Sequence, residues 1–205
     1  IWIGTYGGGV SVWDGTNWTT YTESDGLPGD YEYGIAAASD GTIWVATNGK
    51  GVSAWDGTNW TTYTTTHGLG SDSTSGVTVA SDGRVWVATN GGLSVWDGST
   101  WTNHTTAEGL SANGVDSVAE DGDGRIWAAM QSSGVSVWDG SSWTNYSTAH
   151  GLASDMVWAI AEGSDGRIWA GTVFGLSVWD GSTWTTYTTA DGLSYDTVGA
   201  LAGAS

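Results

Sequence analysis

The sequence predicts an all-β fold, a five-bladed β-propeller with four antiparallel strands in each blade. Three observations predict it: a unit of about 42 residues occurs five times, each unit holds four short runs rich in β-branched and aromatic residues, and Asp-Gly turns separate these runs. The copies begin near residues 1, 43, 85, 126 and 168 and fill the chain. We therefore expect a single domain over residues 1–205.

Tryptophans mark the repeat. An Ile/Val-Trp pair recurs at intervals of 42, 42, 41 and 42 residues, and Trp-Asp-Gly, Trp-Thr and Gly-Leu follow it in every unit. Fifteen of the 16 tryptophans belong to these markers, and Trp158 is the exception. We expect the repeated tryptophans to pack between blades, where each buries a large apolar area.

The four runs of the second unit, residues 76–80, 85–89, 93–96 and 101–105, are strands a, b, c and d. Strand b is apolar on both alternating faces, which is typical of a strand buried on both sides. The chain begins in a strand b and ends in a strand a at residues 197–202. We therefore expect the last segment to pair with the first three strands and close the ring, which leaves no exposed sheet edge.

The composition excludes several functions. The chain has 22 acidic and 4 basic residues and a formal net charge of −18, which excludes nucleic acid as a partner. It has no cysteine, so disulfides and thiolate metal sites are excluded. No apolar run approaches the roughly 20 residues of a membrane span, so we expect no membrane insertion.

The copies differ from one another mainly in the b–c loops and the d–a connections, while the a–b and c–d turns barely change. Adjacent antiparallel strands place the two variable connections at one end of each sheet. Aromatic rings beside amide groups there suit the apolar faces and polar edges of sugars. The alternative is neutral drift in unconstrained loops. The candidate ligand-binding residues are Tyr6, Tyr31, Tyr33, Asn48, Lys50, Asn90, Gln131, Trp158, Phe174 and Tyr195.

An acidic series follows the Gly-Leu marker at a spacing of three residues: Asp30, Asp72, Asn113, Asp155 and Asp196. Carboxylates near a propeller axis can serve a glycosidase or hold Ca²⁺. This series is nearly uniform, so nothing marks one member as acid and another as base. We expect no catalytic residues, no enzyme activity and no cofactor, with Ca²⁺ as the one metal the series allows. The spacing of His67 and His150 does not indicate zinc.

The motifs resemble a known repeat. Residues 165–172 (DGRIWAGT), 175–181 (GLSVWDG), Trp184 and the Gly192-Leu193 pair resemble the two-component-regulator propeller repeat, and the likeness covers all five units. In that family the repeats form the sensor region of bacterial hybrid histidine kinases, and some of these sensors recognise oligosaccharides. The resemblance implies a periplasmic or extracellular location.

We expect a non-catalytic, monomeric binding or interaction scaffold whose ligand is an oligosaccharide or a protein. A fivefold lectin built on the Trp-Asp-Gly motifs is one alternative, since five weak sites would gain avidity. A glycosidase is another. The copies are unusually alike, which also fits an engineered or recently amplified repeat with no evolved ligand.

Overall fold

The computed structural model describes residues 1–202 and contains five antiparallel sheets. Sheet 1 comprises β1 (Trp2–Gly4), β2 (Val10–Trp13) and β3 (Trp18–Tyr21). Sheet 2 comprises β4 (Glu32–Ala37), β5 (Ile43–Thr47), β6 (Gly51–Trp55) and β7 (Trp60–Tyr63). Sheet 3 comprises β8 (Thr74–Val79), β9 (Val85–Thr89), β10 (Gly92–Trp96) and β11 (Trp101–His104). Sheet 4 comprises β12 (Val115–Glu120), β13 (Ile126–Met130), β14 (Val135–Trp138) and β15 (Trp143–Tyr146). Sheet 5 comprises β16 (Val157–Glu162), β17 (Ile168–Thr172), β18 (Gly175–Trp179) and β19 (Trp184–Tyr187).

Consecutive strands pair in every sheet, which is the up-and-down order of a propeller blade and confirms the predicted a–b–c–d arrangement. Strand a begins two residues earlier than the sequence indicates. In sheet 3, Thr74 pairs with Thr89, the register then shifts, and the ladder resumes at Gly76 opposite Ala88. The same bulge occurs at the start of β4, β12 and β16. A bulge adds a residue that breaks the alternation on which the sequence-based boundary depends.

The chain separates into two compact units, Ile1–Asn103 and His104–Ser205. The first unit holds sheets 1 to 3, and the second holds sheets 4 and 5. Within each unit, the first strands of neighbouring sheets lie side by side, β4 against β8 and β12 against β16. That a single domain covers the whole chain remains a prediction.

Aromatic residues pack between neighbouring sheets. Trp44 of β5 stacks on Tyr63 of β7 with ring centroids 5.7 Å apart, and Trp101 of sheet 3 packs edge-on against both rings. The second unit repeats this arrangement with Trp127, Tyr146 and Trp184. The strands β5, β9 and β13 are buried along their whole length. Both the interblade role of the repeat tryptophans and the burial of strand b on two faces are confirmed in these sheets.

Sheet 1 departs from the expected burial. β1 is an edge strand of a three-stranded sheet, and Ile3 is 42% exposed. The expectation that strand b is buried on both faces is therefore wrong for β1, whose sheet includes no strand a among residues 1–202. Among the described residues, those after Asp191 form no regular strand, so the pairing of residues 197–202 with sheet 1 stays a prediction.

Turn chemistry explains the ends of the strands. Gly83 in the a–b turn of sheet 3 has φ of +85°, a conformation that glycine adopts without a steric penalty. Asp97 of the c–d turn accepts hydrogen bonds at Oδ1 from the backbone N–H groups of Ser99 and Thr100, both at 2.8 Å. The equivalent aspartates do the same in the other four sheets, so this residue of each Trp-Asp-Gly motif holds its own turn.

Candidate functional site

The β-bulges position side chains at the variable end of the sheets. The extra residue of each bulge is Tyr33 in β4, Ser75 in β8, Asp116 in β12 and Trp158 in β16. The residue just before each of them is buried, whereas Tyr33 and Trp158 are exposed. A bulge redirects one side chain out of the alternating pattern. It therefore explains how a strand that contributes to the core also presents an aromatic ring to solvent.

Three tyrosines of the first unit form the best-defined part of this surface. Tyr6 in the loop of sheet 1 pairs with Tyr31 through an isolated β-bridge, and their rings meet edge to face at 4.8 Å. Asn48 donates through its backbone N–H to the carbonyl of Tyr31 at 2.9 Å and through Nδ2 to Oη of Tyr33 at 3.3 Å. The structure thus brings together four of the predicted residues, and Tyr6 remains 79% exposed.

Glu32 lies between two of these tyrosines in the chain but points inward. It is 6% exposed, and its Oε2 accepts a hydrogen bond from Oγ1 of Thr47 at 2.7 Å. Its Oε1 is buried without a hydrogen-bond partner. Burial raises the pKa of the Glu32 carboxyl to about 7, the Thr47 hydrogen bond opposes this rise, and the charge of Asp30 adds to it. The sequence marks Glu32 as a residue outside the repeat pattern but does not reveal its burial.

The polar candidates of the first unit have separate surroundings. Lys50 is exposed in the b–c loop of sheet 2, and its backbone N–H donates to the carbonyl of Thr47 at 3.2 Å. Asn90 occupies the b–c loop of sheet 3 and donates through Nδ2 to Oγ of Ser73 at 3.1 Å. Its backbone N–H donates to the carbonyl of Ser73 at 3.0 Å. These bonds join the b–c loop to the d–a connection of the same sheet.

The candidates of the second unit are more dispersed. Gln131 donates through Nε2 to Oδ1 of Asp116 at 2.9 Å, which again links a b–c loop to a bulge. Burial raises the pKa of the Asp116 carboxyl, and the bond from Gln131 lowers it. Phe174 and Tyr195 are 69% and 72% exposed, and Trp158 is exposed to a smaller extent. No ring contact joins these three aromatic residues in the part of the chain that the structure describes.

The acidic series has a structural role that the sequence analysis missed. Each member caps a tight turn by accepting a bond from a backbone N–H seven residues earlier. Asp72 accepts from Thr65 at 2.7 Å, and Asn113 accepts from Thr106 at 2.9 Å. The other three bonds, to Asp30, Asp155 and Asp196, measure 3.1, 2.6 and 2.6 Å. Since an amide oxygen serves as well as a carboxylate, the series is explained by capping and gains no support as a Ca²⁺ or catalytic ring.

The same turns explain the two histidines. His67 accepts through Nδ1 from the backbone N–H of Thr64 at 3.1 Å, and His150 accepts likewise from Ser147 at 3.0 Å. Asp25 and Asp191 fill the corresponding position of equivalent 3₁₀ turns. The recurrence of Ser or Thr three residues before these side chains is a capping-box pattern, which could have been recognised in the sequence.

Within residues 1–202 no group of three or more His, Cys, Asp or Glu side chains is placed to hold a metal ion. No helix in that range is long and apolar enough to cross a membrane.

The repeated four-stranded sheets define the chain as a repeat-built β-propeller. A family profile described as two component regulator propeller matches residues 26–49 and 151–174. Each match runs from the Gly-Leu marker through strands a and b into the b–c loop. Two segments of the chain therefore match the two-component-regulator propeller repeat that the motifs predict. A search of curated protein sequences gave no significant match.

Solved structures of low sequence identity share the fold. The extracellular domain assigned to a hybrid two component system of B. thetaiotaomicron has a TM-score of 0.82 and 21% identity over 96% of this chain. Virginiamycin B lyase from Staphylococcus aureus has a TM-score of 0.62 and 19% identity over 76% of this chain, and an ancestral GH74 enzyme has 0.61 and 16% over 77%. This chain spans 28%, 55% and 24% of those three chains, respectively. At these identities the likeness shows the β-propeller fold.

Proposed function

We propose that this chain is a non-catalytic ligand-binding domain that acts in the periplasm or outside the cell and recognises an oligosaccharide. The observation that carries the proposal is the exposed cluster of Tyr6, Tyr31 and Tyr33, held by Asn48 at the variable end of the sheets. Such rings offer flat apolar surface to the C–H face of a sugar, and the amide and hydroxyl groups beside them offer donors and acceptors to its edge.

The exposure of these rings argues for a binding role over a structural one. The repeat tryptophans and the tyrosines of strand d pack between sheets, and most are buried or half-buried. The aromatic side chains outside the repeat pattern are instead among the most exposed large hydrophobic residues, and they occur in the loops and strand-start bulges where the copies differ. Exposed aromatic residues on loops of a rigid scaffold are typical of ligand recognition.

The placement of the carboxylates supports a non-catalytic role. A glycosidase needs two carboxyl groups that reach the scissile bond. The acidic series instead accepts hydrogen bonds from its own turns. The Glu32 carboxyl, whose raised pKa would suit a general acid, has its Oε1 shielded from solvent and its Oε2 bonded to Thr47.

The proposed location rests on similar proteins, and the proposed ligand class also rests on the charge of the chain. The family profile is that of a regulator propeller, and the B. thetaiotaomicron structure is an extracellular domain. A net charge of −18 favours neutral or cationic ligands over anionic ones. A neutral oligosaccharide is compatible with the negative charge of the chain and with its exposed aromatic rings.

A glycan-array screen of the purified chain, followed by calorimetry on each hit, tests the proposal. We expect binding of one oligosaccharide class with about one site per chain. Binding at nearly five equivalent sites would instead support the fivefold lectin. Failure to bind any glycan would reject the carbohydrate proposal and leave a protein-binding scaffold, or a repeat without an evolved ligand, as the remaining hypotheses.

A further inference from the structure

Three arginines of this chain show how its repeat binds a guanidinium group. Arg84 follows the a–b turn of sheet 3, donates through Nε to Oδ2 of Asp82 at 2.6 Å, and places Cζ 5.8 Å from the ring centroid of Trp86. Arg167 donates through Nε to Asp165 in the same way, whereas Arg125 donates through Nε to Asp121 and pairs with Asp123 through Nη2. A tryptophan ring lies beside each of these two guanidinium groups. Their Cζ-to-ring distances are 5.8 Å for Arg125 with Trp127 and 5.3 Å for Arg167 with Trp169.

Sheet 2 keeps the carboxylate and the ring but lacks the cation. Its a–b turn reads Asp40-Gly41-Thr42, followed by Ile43-Trp44, so threonine stands where sheets 3, 4 and 5 have arginine. The turn itself is conserved, because Oδ1 of Asp40 accepts from the backbone N–H of Thr42 at 2.9 Å. The equivalent bond from Arg84 to Asp82 measures 3.0 Å.

A groove of about 370 Å³ opens at this position between sheets 2 and 3. Asp40, Thr42 and Trp44 line one side of it, and Asp56 of the c–d turn adds a second carboxylate. The half-buried ring of Trp96 closes the other side. The backbone N–H of Thr42 lowers the pKa of Asp40, and that of Asn59 lowers the pKa of Asp56, so both carboxyl groups are ionised at neutral pH.

We propose that this groove binds a guanidinium group from another molecule, with Asp40 as its hydrogen-bonding partner and Trp44 as its aromatic neighbour. The planar cation would occupy the place that an arginine of the same chain fills in sheets 3, 4 and 5. Guanidinium suits the site because it bonds a carboxylate through more than one N–H and stacks on an aromatic face. Asp56, in the c–d turn of the same sheet, lines the same groove and adds a second negative charge beside the cation.

The groove is independent of the proposed oligosaccharide site. It lies at the end of the sheets that carries the a–b and c–d turns, whereas the tyrosine cluster lies at the b–c end. A ligand of the groove therefore differs in chemistry and in position from a ligand of the tyrosine cluster, and variants of one site leave the other intact.

The test titrates the intact chain with arginine amide and with the peptide Gly-Arg-Gly, using tryptophan fluorescence and calorimetry. We expect one site per chain, a fall in affinity of at least about tenfold in Asp40→Asn, and a tenfold preference over lysine amide. Thr42→Arg restores the arginine of the other repeats, so it should fold normally and block the added guanidinium. Thr16→Arg, on the exposed c–d turn of sheet 1 and outside the groove lining, is the matched control.

The two probes separate the sources of the cation. Binding of arginine amide alone would indicate a small guanidinium ligand, and tighter binding of the peptide would indicate an arginine side chain of a protein partner. An unchanged affinity in folded Thr42→Arg, or no binding of either probe to the wild-type chain, would overturn the proposal.

Discussion

Thr47 donates a hydrogen bond of 2.7 Å to the carboxyl group of Glu32. Glu32 is the first residue of β4, and the equivalent first residues of β8, β12 and β16 are Thr74, Val115 and Val157. A carboxyl group thus occupies an interior position that the repeat fills with smaller, uncharged side chains. Gly4 of β1 leaves space for this side chain, because a Cβ on Gly4 would lie 2.8 Å from the Cβ of Glu32. The buried carboxyl gives the protein a titratable core group whose charge the surroundings oppose.

Glu32 should make the stability of the protein depend on pH. Its pKa is about 7 in the folded state and 4.5 as the ordinary value, so between pH 4.5 and 7 the folded state binds more protons than the unfolded state. The free energy of unfolding should therefore fall as the pH rises through this range, by up to about 3 kcal/mol from this group. Urea denaturation of the wild-type chain and Glu32→Gln at several pH values measures the difference.

Glu32→Val provides the second variant, since valine occurs at the equivalent position of sheets 4 and 5. Both variants should lose this part of the pH dependence and be more stable than the wild type above pH 7. If the slope between pH 4.5 and 7 is the same in all three proteins, burial does not raise the pKa of the Glu32 carboxyl as described.

The capping bond of Asp72 predicts a graded effect of substitution. Asp72→Ala removes the acceptor for the backbone N–H of Thr65 and should cost about 1 kcal/mol of unfolding free energy. Asp72→Asn retains an oxygen at the same place, as Asn113 does in its own turn, and should change stability by a few tenths of that amount. Chemical denaturation of the two variants gives the comparison, and equal losses would contradict the capping role.

The tyrosine cluster predicts where an oligosaccharide binds. Tyr31→Ala and Tyr33→Ala should each weaken binding of the glycan found by array by about tenfold or more, because each removes an aromatic surface next to the sugar. Tyr187→Ala removes a tyrosine from the outer strand β19 and should leave the affinity unchanged. Calorimetry on the three variants decides the matter, since an equal loss in all three would indicate a site elsewhere.

The bulge predicts that neighbouring residues tolerate change very differently. Ser75 is the extra residue of the bulge in β8, so Ser75→Tyr should change the unfolding free energy by less than about 0.5 kcal/mol. Thr74 is 1% exposed, and its Oγ1 donates to the carbonyls of Thr47 and Gly51 at 3.1 and 2.9 Å. Thr74→Tyr should therefore cost more than about 2 kcal/mol. Thermal denaturation of the two variants tests whether the bulge separates these roles.

The repeat and its turns predicted most of the fold. The Asp-Gly and Trp-Asp-Gly sequences demand particular turns, and the runs between them have the length and composition of strands, so strands b, c and d fall within a residue or so of their predicted bounds. Strand a was less predictable, because its bulge interrupts the alternation just where the strand begins. The exposure of Ile3 depends on which strand lies beside β1, which no local pattern specifies.

The candidate site was predicted as a surface but not as a set of contacts. Variation between the copies identified the loops that carry Tyr6, Tyr31 and Tyr33, whereas the pairing of Tyr6 with Tyr31 joins residues from different sheets. The cation-binding arrangement of Arg84 was missed for another reason. The ion pair with Asp82 follows from their spacing, but the approach to Trp86 depends on the twist of the strand that follows the turn.

The recurring bulge separates the displayed side chain from the residues that build the sheet. Positions 33, 75, 116 and 158 hold Tyr, Ser, Asp and Trp, four chemically unrelated side chains, while the residues around them keep the sheets intact. A substitution at one of these positions changes the side chain that one sheet presents to solvent and leaves the backbone conformation as it is. Under the proposed function, substitutions at these four positions would change the specificity one repeat at a time, by natural duplication and divergence or by a combinatorial library confined to four positions.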